Sequence, residues 1–554
     1  MSKTNTHYIF VTGGVISGIG KGVTAASIAL LLKSRGFKVT AIKCETYLNI
    51  DSGTINPIEH GDPFLCNDGL EADMDLGTYE RFLDIEMGRK NFVTMGQIYK
   101  EIIEKERNMG FGGKTVDAVP IIPNTIIEKI KKAGEGHDFC IVELGGTAGE
   151  YQNIYNYEAA RMMKLEAPNN CMHIHVSYVP IPEHLGEPKT KPTQLSVRFL
   201  NMAGIQPDFA VLRSNKRMDS LRLDKVALQC NVPTDNIILN PDLKSIYQLP
   251  LEFLEQKFDT KILKMFKMQL KKINLKTWKD RISKQNKLKK TNKNVIIAGK
   301  YISTGEYTLT DSYNSLLHAL EHASLHIGYK FNIKFVNTED IEKNGTEKFL
   351  FDADGIIVPI GWGSRGVEGK IEAIKFSRLN KIPYLGLCFG MQLACVEFAR
   401  NVVGLKDANT EEVNPNTDHK IIHSIPFDEK YQTIKGKNTS MRLGAFDCIV
   451  KPHTLVNEIY SKHRVGHKQE DGSLVVSERH RHRYEFNNNY KKLLENHGMI
   501  FSGTSPDEFF VEMIELSQNL HPFFVATQAH PEYKSTPTKP HPIFIEFLLA
   551  IINN

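Results

Sequence analysis

A run of glycines near the start of the chain is spaced to bind phosphate. The sequence GGVISGIGKG, Gly13 to Gly22, lies between an apolar strand-like run and a helix-like run, VTAASIALLLKSRG. Backbone N–H groups of such a loop can cradle phosphate oxygens, and the dipole of the following helix adds to the attraction. Lys21 supplies a mobile positive charge. The loop departs from the ordinary P-loop because Gly22, and not Ser or Thr, follows the lysine. A structural turn is the alternative interpretation.

Two acidic residues are candidates for binding Mg²⁺ beside those phosphates. Asp75 lies in EADMDLGTYERF, and Asp73 shares its face if the segment is extended. Glu143 ends the apolar strand FCIVEL, which is where P-loop folds place a Mg²⁺-binding carboxylate. An ordinary surface position is the alternative for either carboxylate taken alone.

The segment EPKTKPTQ, Glu187 to Gln194, concentrates lysines and hydroxyls in a short stretch. Lys189 and Lys191 could act as point charges on a triphosphate, with the threonine hydroxyls as donors. From these residues alone, an ordinary proline-containing loop is the preferred interpretation.

A cysteine flanked by glycines has the form of a nucleophile elbow. GLCFG, Gly386 to Gly390, follows the strand IPYL and precedes the helix MQLACVEFAR. The helix N-terminus favours the thiolate form of Cys388. His530 and Glu532 are two residues apart in QAHPEY, so both face one way if this segment is extended. The pattern predicts a triad in which Glu532 orients His530 and His530 activates Cys388.

The segment RHRHRYE, Arg479 to Glu485, alternates arginine and histidine. His480 and His482 have no Cys or acidic partner at ligand spacing, which argues against a metal site. Binding of a substrate carboxylate by an arginine is the favoured interpretation.

Two series of alternating strands and helices must position these residues. Apolar runs predict strands at YIFVTGG, FKVTAIKC, HDFCIVELGG, MHIHVSYVP and DFAVLRS, and again at NVIIAGK, FNIKFVNT, GIIVPIG, IPYLGLC and FFVATQAH. Such runs are typical of parallel sheets in doubly wound α/β domains, where ligands bind at the carboxyl ends of strands. Between the series, apolar residues from Ile262 to Ile273 have helical spacing, and TNKN follows as a linker. The predicted domains are 1–256, a Lys-rich helical linker at 257–293, and 294–554.

Composition narrows the class of protein. The chain has 554 residues, of which 41% are hydrophobic and 24% charged, which suits a folded multidomain protein. No run approaches the ~18–20 apolar residues of a membrane span, and the N-terminus lacks a signal-peptide pattern. Eight cysteines without a CxxC pair predict a cytoplasmic protein.

Residues 257–293 carry thirteen Lys and one Arg against two Asp, while the whole chain has a net charge of only +5. A solvated connector is favoured there over a nucleic-acid site.

The combination of GGVISGIGKG, DMDLGTYERF, VELGGTAG, KTKPTQ, GLCFGMQ, RHRHRYE and QAHPE resembles the CTP synthase family over nearly the whole chain. The resemblance implies an N-terminal P-loop-like, doubly wound amidoligase domain followed by a class I glutamine amidotransferase α/β domain. It implies that UTP, ATP and glutamine become CTP, ADP, phosphate and glutamate, with Mg²⁺ as cofactor. Further expectations are GTP activation, CTP feedback inhibition and a homotetramer prone to form filaments.

The resemblance also implies particular site residues. ATP is expected at Gly18, Ile19, Gly20, Lys21, Gly22, Val23, Lys43, Asp75, Arg213, Asp242 and Leu243, with Asp75 and Glu143 as Mg²⁺ ligands. UTP is expected at Ser17, Lys189, Thr190, Lys191, Pro192, Thr193, Gln194 and Lys225, and the base of CTP near Glu150, Tyr151 and Gln152. Glutamine is expected at Gly361, Phe389, Gly390, Met391, Gln392, Glu412 and Arg483, beside the triad Cys388, His530 and Glu532.

Several positions depart from the family pattern. Gln152 stands where a glutamate is usual, which bears on CTP feedback. Ile360 replaces the first glycine of the oxyanion loop, and a β-branched residue is poorly suited to that position if it needs φ > 0. Lys437 to Ser440 replace the Leu-Gly-Gly-Thr of a lid linked to GTP activation, and Thr304 to Thr310 look like a short insertion.

Other functions compete with a working glutamine-dependent synthase. Ile360 motivates a synthase that uses free ammonia but has weak glutaminase activity. A non-catalytic filament or scaffold protein is disfavoured because Lys21, Asp75, Glu143 and the triad residues are all present. KTKPTQ and DMDLGTYERF argue against a cobyric-acid-type synthetase, and the lack of an SGGxDS loop argues against a GMP-synthase-like enzyme.

Overall fold

In the computed structural model, the described residues are 6–56, 61–300, 303–304, 307–308, 311–426, 428 and 440–554. They form two compact units. The first unit comprises the chain up to Gly53 together with Asp75–Ile282, and the second unit comprises Thr54–Met74 and Ser283–Asn554. Residues 54–74 therefore leave the first unit and belong to the second; we call them the insert segment.

The first unit is built on a parallel sheet of seven strands. Strands in this half of the chain are β1 His7–Gly14, β2 Val39–Glu45, β3 Phe64–Leu65, β4 Glu71–Ala72, β5 Phe92–Thr94, β6 Phe139–Leu144, β7 Cys171–Tyr178, β8 Phe209–Ser214 and β9 Ile237–Pro241. The sheet order is β5-β2-β6-β1-β7-β8-β9, while β3 and β4 form a separate two-stranded sheet in the insert segment. The central strands β1 and β6 are mostly apolar, and they are buried from Ile9 onward in β1 and throughout β6, as their apolar runs predict.

Helices cover this parallel sheet in the doubly wound manner. They are α1 Lys21–Ser34, α2 Met74–Leu83, α3 Met95–Arg107, α4 Ala118–Gly134, α5 Ile154–Glu166, α6 Lys191–Met202, α7 Ser220–Cys230, α8 Leu249–Glu255, α9 Phe258–Met265 and α10 Lys276–Ile282.

The Lys-rich segment does not form the single helix followed by a linker that its spacing predicts. Helix α9 ends at Met265 and α10 starts at Lys276. Trp278 of α10 is buried, and its indole N–H donates a hydrogen bond to the Tyr247 carbonyl at 3.0 Å. The TNKN run lies inside a strand, because its backbone pairs with a neighbouring strand of the second unit. Tertiary contacts of Trp278 and strand pairing thus override the local helical pattern.

The second unit is built on a mixed sheet of ten strands. The strands of this unit are β10 Lys289–Gly299, β11 Ser303–Thr304, β12 Tyr307–Thr308, β13 Tyr329–Asn337, β14 Gly355–Val358, β15 Tyr384–Leu387, β16 Asn409–Thr410, β17 Lys420–Ser424, β18 Arg442–Val450, β19 His467–Lys468, β20 Leu474–His482, β21 Tyr484–Phe486, β22 Met499–Thr504, β23 Val511–Leu516 and β24 Phe524–Thr527. The order in the ten-stranded sheet is β13-β10-β14-β15-β24-β23-β22-β18-β20-β19, while β11 and β12 form a two-stranded sheet and β16, β17 and β21 a three-stranded one. Pairing is parallel from β13 to β24 and antiparallel from there on.

The helices of the second unit pack against both faces of this sheet through two apolar clusters. They are α11 Asn314–Ile327, α12 Thr338–Asn344, α13 Glu347–Leu350, α14 Val367–Asn380, α15 Phe389–Phe398, α16 Leu455–Lys462, α17 Lys491–Asn496 and α18 Pro542–Asn553. Among the residues that the structure describes, no helix is both long enough and apolar enough to cross a bilayer.

Candidate functional sites

The glycine loop joins the carboxyl end of β1 to the amino end of α1. Gly20 caps α1 in the left-handed conformation, with φ 91°, which glycine adopts without steric cost. The Lys21 ammonium donates a hydrogen bond to the Gly146 carbonyl in the loop after β6, and burial lowers the pKa of Lys21. A cation and the free N–H groups at the start of a 14-residue helix make this a suitable place for phosphate.

Lys43, Asp75 and Glu143 form an ion-pair cluster beside this loop. Lys43 Nζ lies 2.5 Å from Asp75 Oδ2 and 2.6 Å from Glu143 Oε1. The Tyr79 hydroxyl donates a hydrogen bond to the second oxygen of Glu143. Burial raises the pKa of Glu143 to about 7, with Asp75 adding to the rise and Lys43 opposing it. Two carboxylates therefore converge on one cation position.

These two carboxylates fit Mg²⁺. Mg²⁺ usually takes one or two carboxylates and completes its coordination with substrate phosphates and water. Within the described ranges, no cluster of three or more His, Cys, Asp or Glu side chains could hold a metal alone. One sequence expectation is wrong: Asp75 is not in an extended segment with Asp73, because α2 begins at Met74 and makes Asp75 helical.

Residues expected at the ATP adenosine meet in a groove beside α1. Arg213 Nε lies 3.2 Å from Asp242 Oδ1, and Arg213 Nη1 donates a hydrogen bond to the Ile19 carbonyl at 3.2 Å. Gly20, Val23, Arg213 and Leu243 line the groove. Gly18 and Ser17 lie in the exposed part of the glycine loop.

The EPKTKPTQ segment combines exposed and buried side chains. Lys191 is exposed and begins α6, with Pro192 in its first turn. Thr193 is fully buried and accepts a hydrogen bond from the Ser177 hydroxyl at 2.9 Å. Gln194 and Thr190 are also buried and bond to each other at 3.1 Å. Lys189 pairs with Glu187, and Lys225 is exposed on α7. The lysines are therefore presented to solvent, whereas Thr193 serves the fold of the first unit.

The loop expected near the base of CTP is held in place by one of its own residues, Glu150. Glu150 Oε1 accepts hydrogen bonds from the Thr147 N–H at 2.8 Å and the Thr147 hydroxyl at 2.6 Å. Tyr151 is 92% exposed, and Gln152 is exposed beside it.

Cys388 occupies a strained turn between β15 and α15. Its φ of 53° and ψ of −102° are unusual for a residue with a side chain, as expected for a nucleophile elbow. Its N–H donates to the Thr527 carbonyl at 2.8 Å, which ties the elbow to β24. The amino end of α15 follows at once.

His530 and Glu532 are hydrogen-bonded, with Nδ1 and Oε1 2.8 Å apart. The expected extended segment is wrong, because residues 531–534 form a 3₁₀ turn that starts at Pro531. The turn, not strand alternation, brings the two side chains together. Burial opposes a charge on His530, yet Glu532 and Cys388 raise its pKa to about 10. With Nδ1 engaged by Glu532, Nε2 remains for the sulfur.

The loop from Pro359 to Gly363 is held by two lysines and a glutamate. Lys370 Nζ donates to the Pro359 carbonyl at 2.8 Å, and Lys300 Nζ donates to the Gly363 carbonyl at 2.9 Å. The Gly363 N–H donates to Glu412 Oε1 at 2.8 Å. The left-handed φ of this loop is at Gly363, at 78°, and not at Ile360. The steric objection to Ile360 is therefore wrong.

The other residues expected to bind glutamine lie partly at the surface and partly in the apolar core. Phe389, Gly390, Met391 and Gln392 are the first residues of α15. The Met391 side chain is buried in the apolar core, so only its backbone is available to a ligand. Gln392 Nε2 donates to the Tyr484 carbonyl at 2.9 Å and to Gln528 Oε1 at 3.0 Å. Arg483 is exposed.

Comparison with known proteins decides the family. Residues 7–268 match the family model described as CTP synthase N-terminus, and residues 308–550 match glutamine amidotransferase class-I. The CTP synthase of Caldanaerobacter subterraneus subsp. tengcongensis is 46% identical over 549 residues, covering 99% of this chain and 98% of that relative. The chain belongs to the CTP synthase family.

A second relative agrees with this assignment. The CTP synthase of Carboxydothermus hydrogenoformans is 44% identical over 98% of each chain. A solved structure, the Trypanosoma brucei CTPS glutaminase domain with bound acivicin, is 35% identical with a TM-score of 0.41, over 48% of this chain and 95% of that one. CTP synthases aminate UTP, so the chain is a ligase that forms a C–N bond, with UTP, ATP and glutamine as substrates and CTP as product.

Some residues near the two candidate sites of this CTP synthase were not found from the sequence. Lys300 and Lys370 hold the loop at Gly363, and Gln528 Nε2 lies 3.5 Å from Cys388 Sγ. Lys300 directly follows the strand β10, a position that could have suggested it. Nothing in the sequence of the insert segment indicates that it belongs to the second unit. The lid residues Lys437 to Thr439, and most of the Thr304 to Thr310 insertion, lie outside the described residues or have no described side chains.

Proposed function

We propose that this CTP synthase divides its reaction between an amidoligase site in residues 1–256 and an amidotransferase site in residues 294–554. The Lys-rich stretch 257–293 connects the two in sequence. The observation that supports the amidotransferase site is the His530–Glu532 hydrogen bond of 2.8 Å beside the strained Cys388 turn.

At the amidoligase site, the γ-phosphoryl group of ATP is transferred to the O4 atom of UTP, and ADP leaves. Ammonia then attacks C4, and phosphate leaves with the oxygen. Lys21 and Lys43 neutralise charge on the phosphates, and Asp75 and Glu143 would hold Mg²⁺. When bound, Mg²⁺ supplies further charge neutralisation on the transferred group. The groove at Arg213 binds adenosine, and Lys189, Lys191 and Lys225 attract the UTP triphosphate.

At the amidotransferase site, the Cys388 thiolate attacks the side-chain carbonyl carbon of glutamine. The His530 imidazolium gives its proton to the leaving nitrogen, so that ammonia departs from the tetrahedral adduct and leaves a thioester on Cys388. Neutral His530 then takes a proton from water, the resulting hydroxide attacks the thioester, and glutamate is released with the Cys388 thiolate and His530 imidazolium restored. The Pro359–Gly363 loop stabilises the oxyanion, and Glu412 and Arg483 bind the amino and carboxylate groups of glutamine.

We further propose a homotetramer, with assembly into filaments, and regulation by GTP and CTP. The tetramer is supported by an apolar stripe on α6. Leu195, Phe199 and Met202 are 46%, 47% and 82% exposed, which is unusual for large apolar side chains on one helix face. The proposal of CTP feedback inhibition is supported by the exposed loop at Tyr151. A cytoplasmic location is supported by eight free cysteines.

The test is CTP formation from UTP, ATP and Mg²⁺ with glutamine, with ammonium chloride, and with glutamine plus GTP. Cys388→Ala should abolish the glutamine-dependent reaction and spare the ammonia-dependent one, because only the first needs a thioester. Cys395→Ala, at a buried cysteine of the helix α15 that follows the Cys388 turn, is the matched control and should keep both. Lys21→Ala should abolish both. Loss of the ammonia reaction in a folded Cys388→Ala variant would contradict the two-site assignment.

A further inference from the structure

The catalytic histidine is tied to the insert segment through Arg479. The Arg479 carbonyl accepts a hydrogen bond from the His530 N–H at 2.8 Å. The Arg479 guanidinium reaches the other way and donates to Asn67 Oδ1 at 2.6 Å and to the Leu65 carbonyl at 2.8 Å. One residue of β20 therefore joins the backbone of His530 to residues that precede α2.

Arg481, two residues further along β20, connects Cys388 to the insert segment in a similar way. Its carbonyl lies 3.8 Å from Cys388 Sγ. Its guanidinium lies 2.5 Å from Glu71 Oε1, 3.3 Å from Asp62 Oδ1 and 4.5 Å above the Trp362 ring of the oxyanion loop. The Arg481 and Glu71 side chains are 4% and 1% exposed, so this ion pair is almost fully removed from water.

Asp62 contacts both Arg481 and Tyr533, and so links the surroundings of Cys388 to those of His530. Its second oxygen accepts a hydrogen bond from the Tyr533 hydroxyl at 2.7 Å. The Tyr533 ring stacks on the His530 imidazole, with centroids 5.3 Å apart and planes 29° apart. One carboxylate thus binds Arg481, next to Cys388, and Tyr533, next to His530.

We propose that Asp62 and Glu71 are positioning residues for the Cys388–His530 pair, acting through Arg481 and Tyr533. Asp62 and Glu71 reach Cys388 and His530 through the side chains of Arg481 and Tyr533, so the effect is expected on the geometry of the pair. Removing either carboxylate leaves the buried Arg481 charge less well compensated, which is costly, so we expect the Arg481 side chain to shift. A misplacement of about 1 Å in reacting groups costs roughly 100-fold in rate.

The origin of these carboxylates makes the arrangement specific to this kind of chain. Asp62 and Glu71 lie inside the match to CTP synthase N-terminus, residues 7–268, and outside the match to glutamine amidotransferase class-I, residues 308–550. The amidotransferase unit is therefore completed by residues from the other half of the sequence. The inference rests on the proposed role of Cys388 as nucleophile.

Glu71→Gln and Asp62→Asn, each compared with Asp68→Asn, test this proposal in the full-length protein. Asp68 lies in the same insert segment but is exposed, so the control makes the same charge change at a solvent-facing position. We expect a roughly 10- to 100-fold fall in kcat for glutamine hydrolysis, with KM for glutamine changed less than about 3-fold. Ammonia-dependent CTP formation should be retained, and Asp68→Asn should match the unmodified protein.

A second readout separates positioning from general destabilisation. The pH profile of Cys388 alkylation by iodoacetamide, corrected with Cys388→Ala, should shift in Glu71→Gln and Asp62→Asn and stay fixed in Asp68→Asn. If these variants fail to fold, Tyr533→Phe removes the hydrogen bonds of the hydroxyl to Asp62 and to the Pro63 carbonyl, keeps the ring, and should still lower kcat. An unchanged kcat and an unchanged alkylation profile would overturn the proposal. Absence of ammonia-dependent CTP formation in the unmodified protein would instead overturn the proposed function.

Discussion

Gly22 and Asp75 are in direct contact: a Cβ atom added to Gly22 would lie 1.9 Å from Asp75 Oδ1. Gly22 follows Lys21 at the start of α1, which is where an ordinary P-loop carries a serine or threonine hydroxyl. The carboxylate of Asp75, on α2, takes up that space. The departure from the P-loop pattern thus makes room for an acidic side chain beside the phosphate loop.

Gly22→Ala should therefore disable the amidoligase site. The new methyl group would displace Asp75 from Lys43 and from the Mg²⁺ position, and we expect a fall of roughly 100-fold in CTP formation with either nitrogen source. Glutamine hydrolysis, measured on the same preparation, serves as the internal control and should persist. Normal ammonia-dependent CTP formation by the variant would show that Asp75 is not needed where it lies.

The charge on His530 should make both stability and glutaminase activity depend on pH. Burial opposes that charge, but Glu532 and Cys388 raise the pKa of His530 from 6.5 to about 10. The protonated imidazole therefore stabilises the folded state fully below pH 6.5, and this stabilisation is lost as pH rises through about 10. Glu532→Gln should move that loss, and the alkaline limb of glutamine hydrolysis, to lower pH.

Melting temperature and hydrolysis rate, followed against pH, check this expectation. Glu546→Gln is the matched control, because Glu546 pairs with His463 at 2.7 Å. It should leave the alkaline limb of hydrolysis in place. An alkaline limb that is the same with and without Glu532 would refute the role of this carboxylate.

Ile360→Gly should not improve the glutaminase. Ile360 does not need a left-handed φ, so a glycine there relieves no strain. Ile360 is 5% exposed and packs in an apolar core, so its removal should cost about 3 kcal/mol of folding free energy. We expect kcat for glutamine hydrolysis to stay within about 2-fold while the denaturation midpoint falls. A clear rise in kcat would revive the ammonia-dependent hypothesis.

Replacing Phe199 and Met202 together with glutamate should prevent assembly. Charges on the exposed stripe of α6 would oppose its burial against another copy. Light scattering with saturating ATP and UTP should find tetramers for the unmodified protein and smaller species for the variant. Leu379→Glu, at a leucine that is 62% exposed on α14, is the control and should still assemble. A tetrameric double variant would show that this stripe is not the interface.

Local patterns in the sequence predicted the central buried strands of both sheets and named the candidate chemical groups, whereas the edge strands β5 and β9 and the antiparallel strands β18, β20, β22 and β23 were not predicted. The runs around Phe10, Val142 and Ile357 are apolar because both faces of those strands are covered, and burial of this kind is visible residue by residue. The setting of Cys388 and the pair His530 and Glu532 could likewise be recognised from short motifs. A strand-to-helix turn and a two-residue spacing are local properties of the chain.

Other features were decided only by the tertiary structure. Lys43, Asp75 and Glu143 come from three separate elements, and their convergence depends on the order β2-β6-β1 and on the packing of α2. The insert segment joins the second unit because Arg479 and Arg481 supply buried partners for it some 400 residues away in sequence. Residue types record how deeply each position is buried. Which distant side chains meet depends on strand pairing and packing over the whole chain, which no short stretch of sequence specifies.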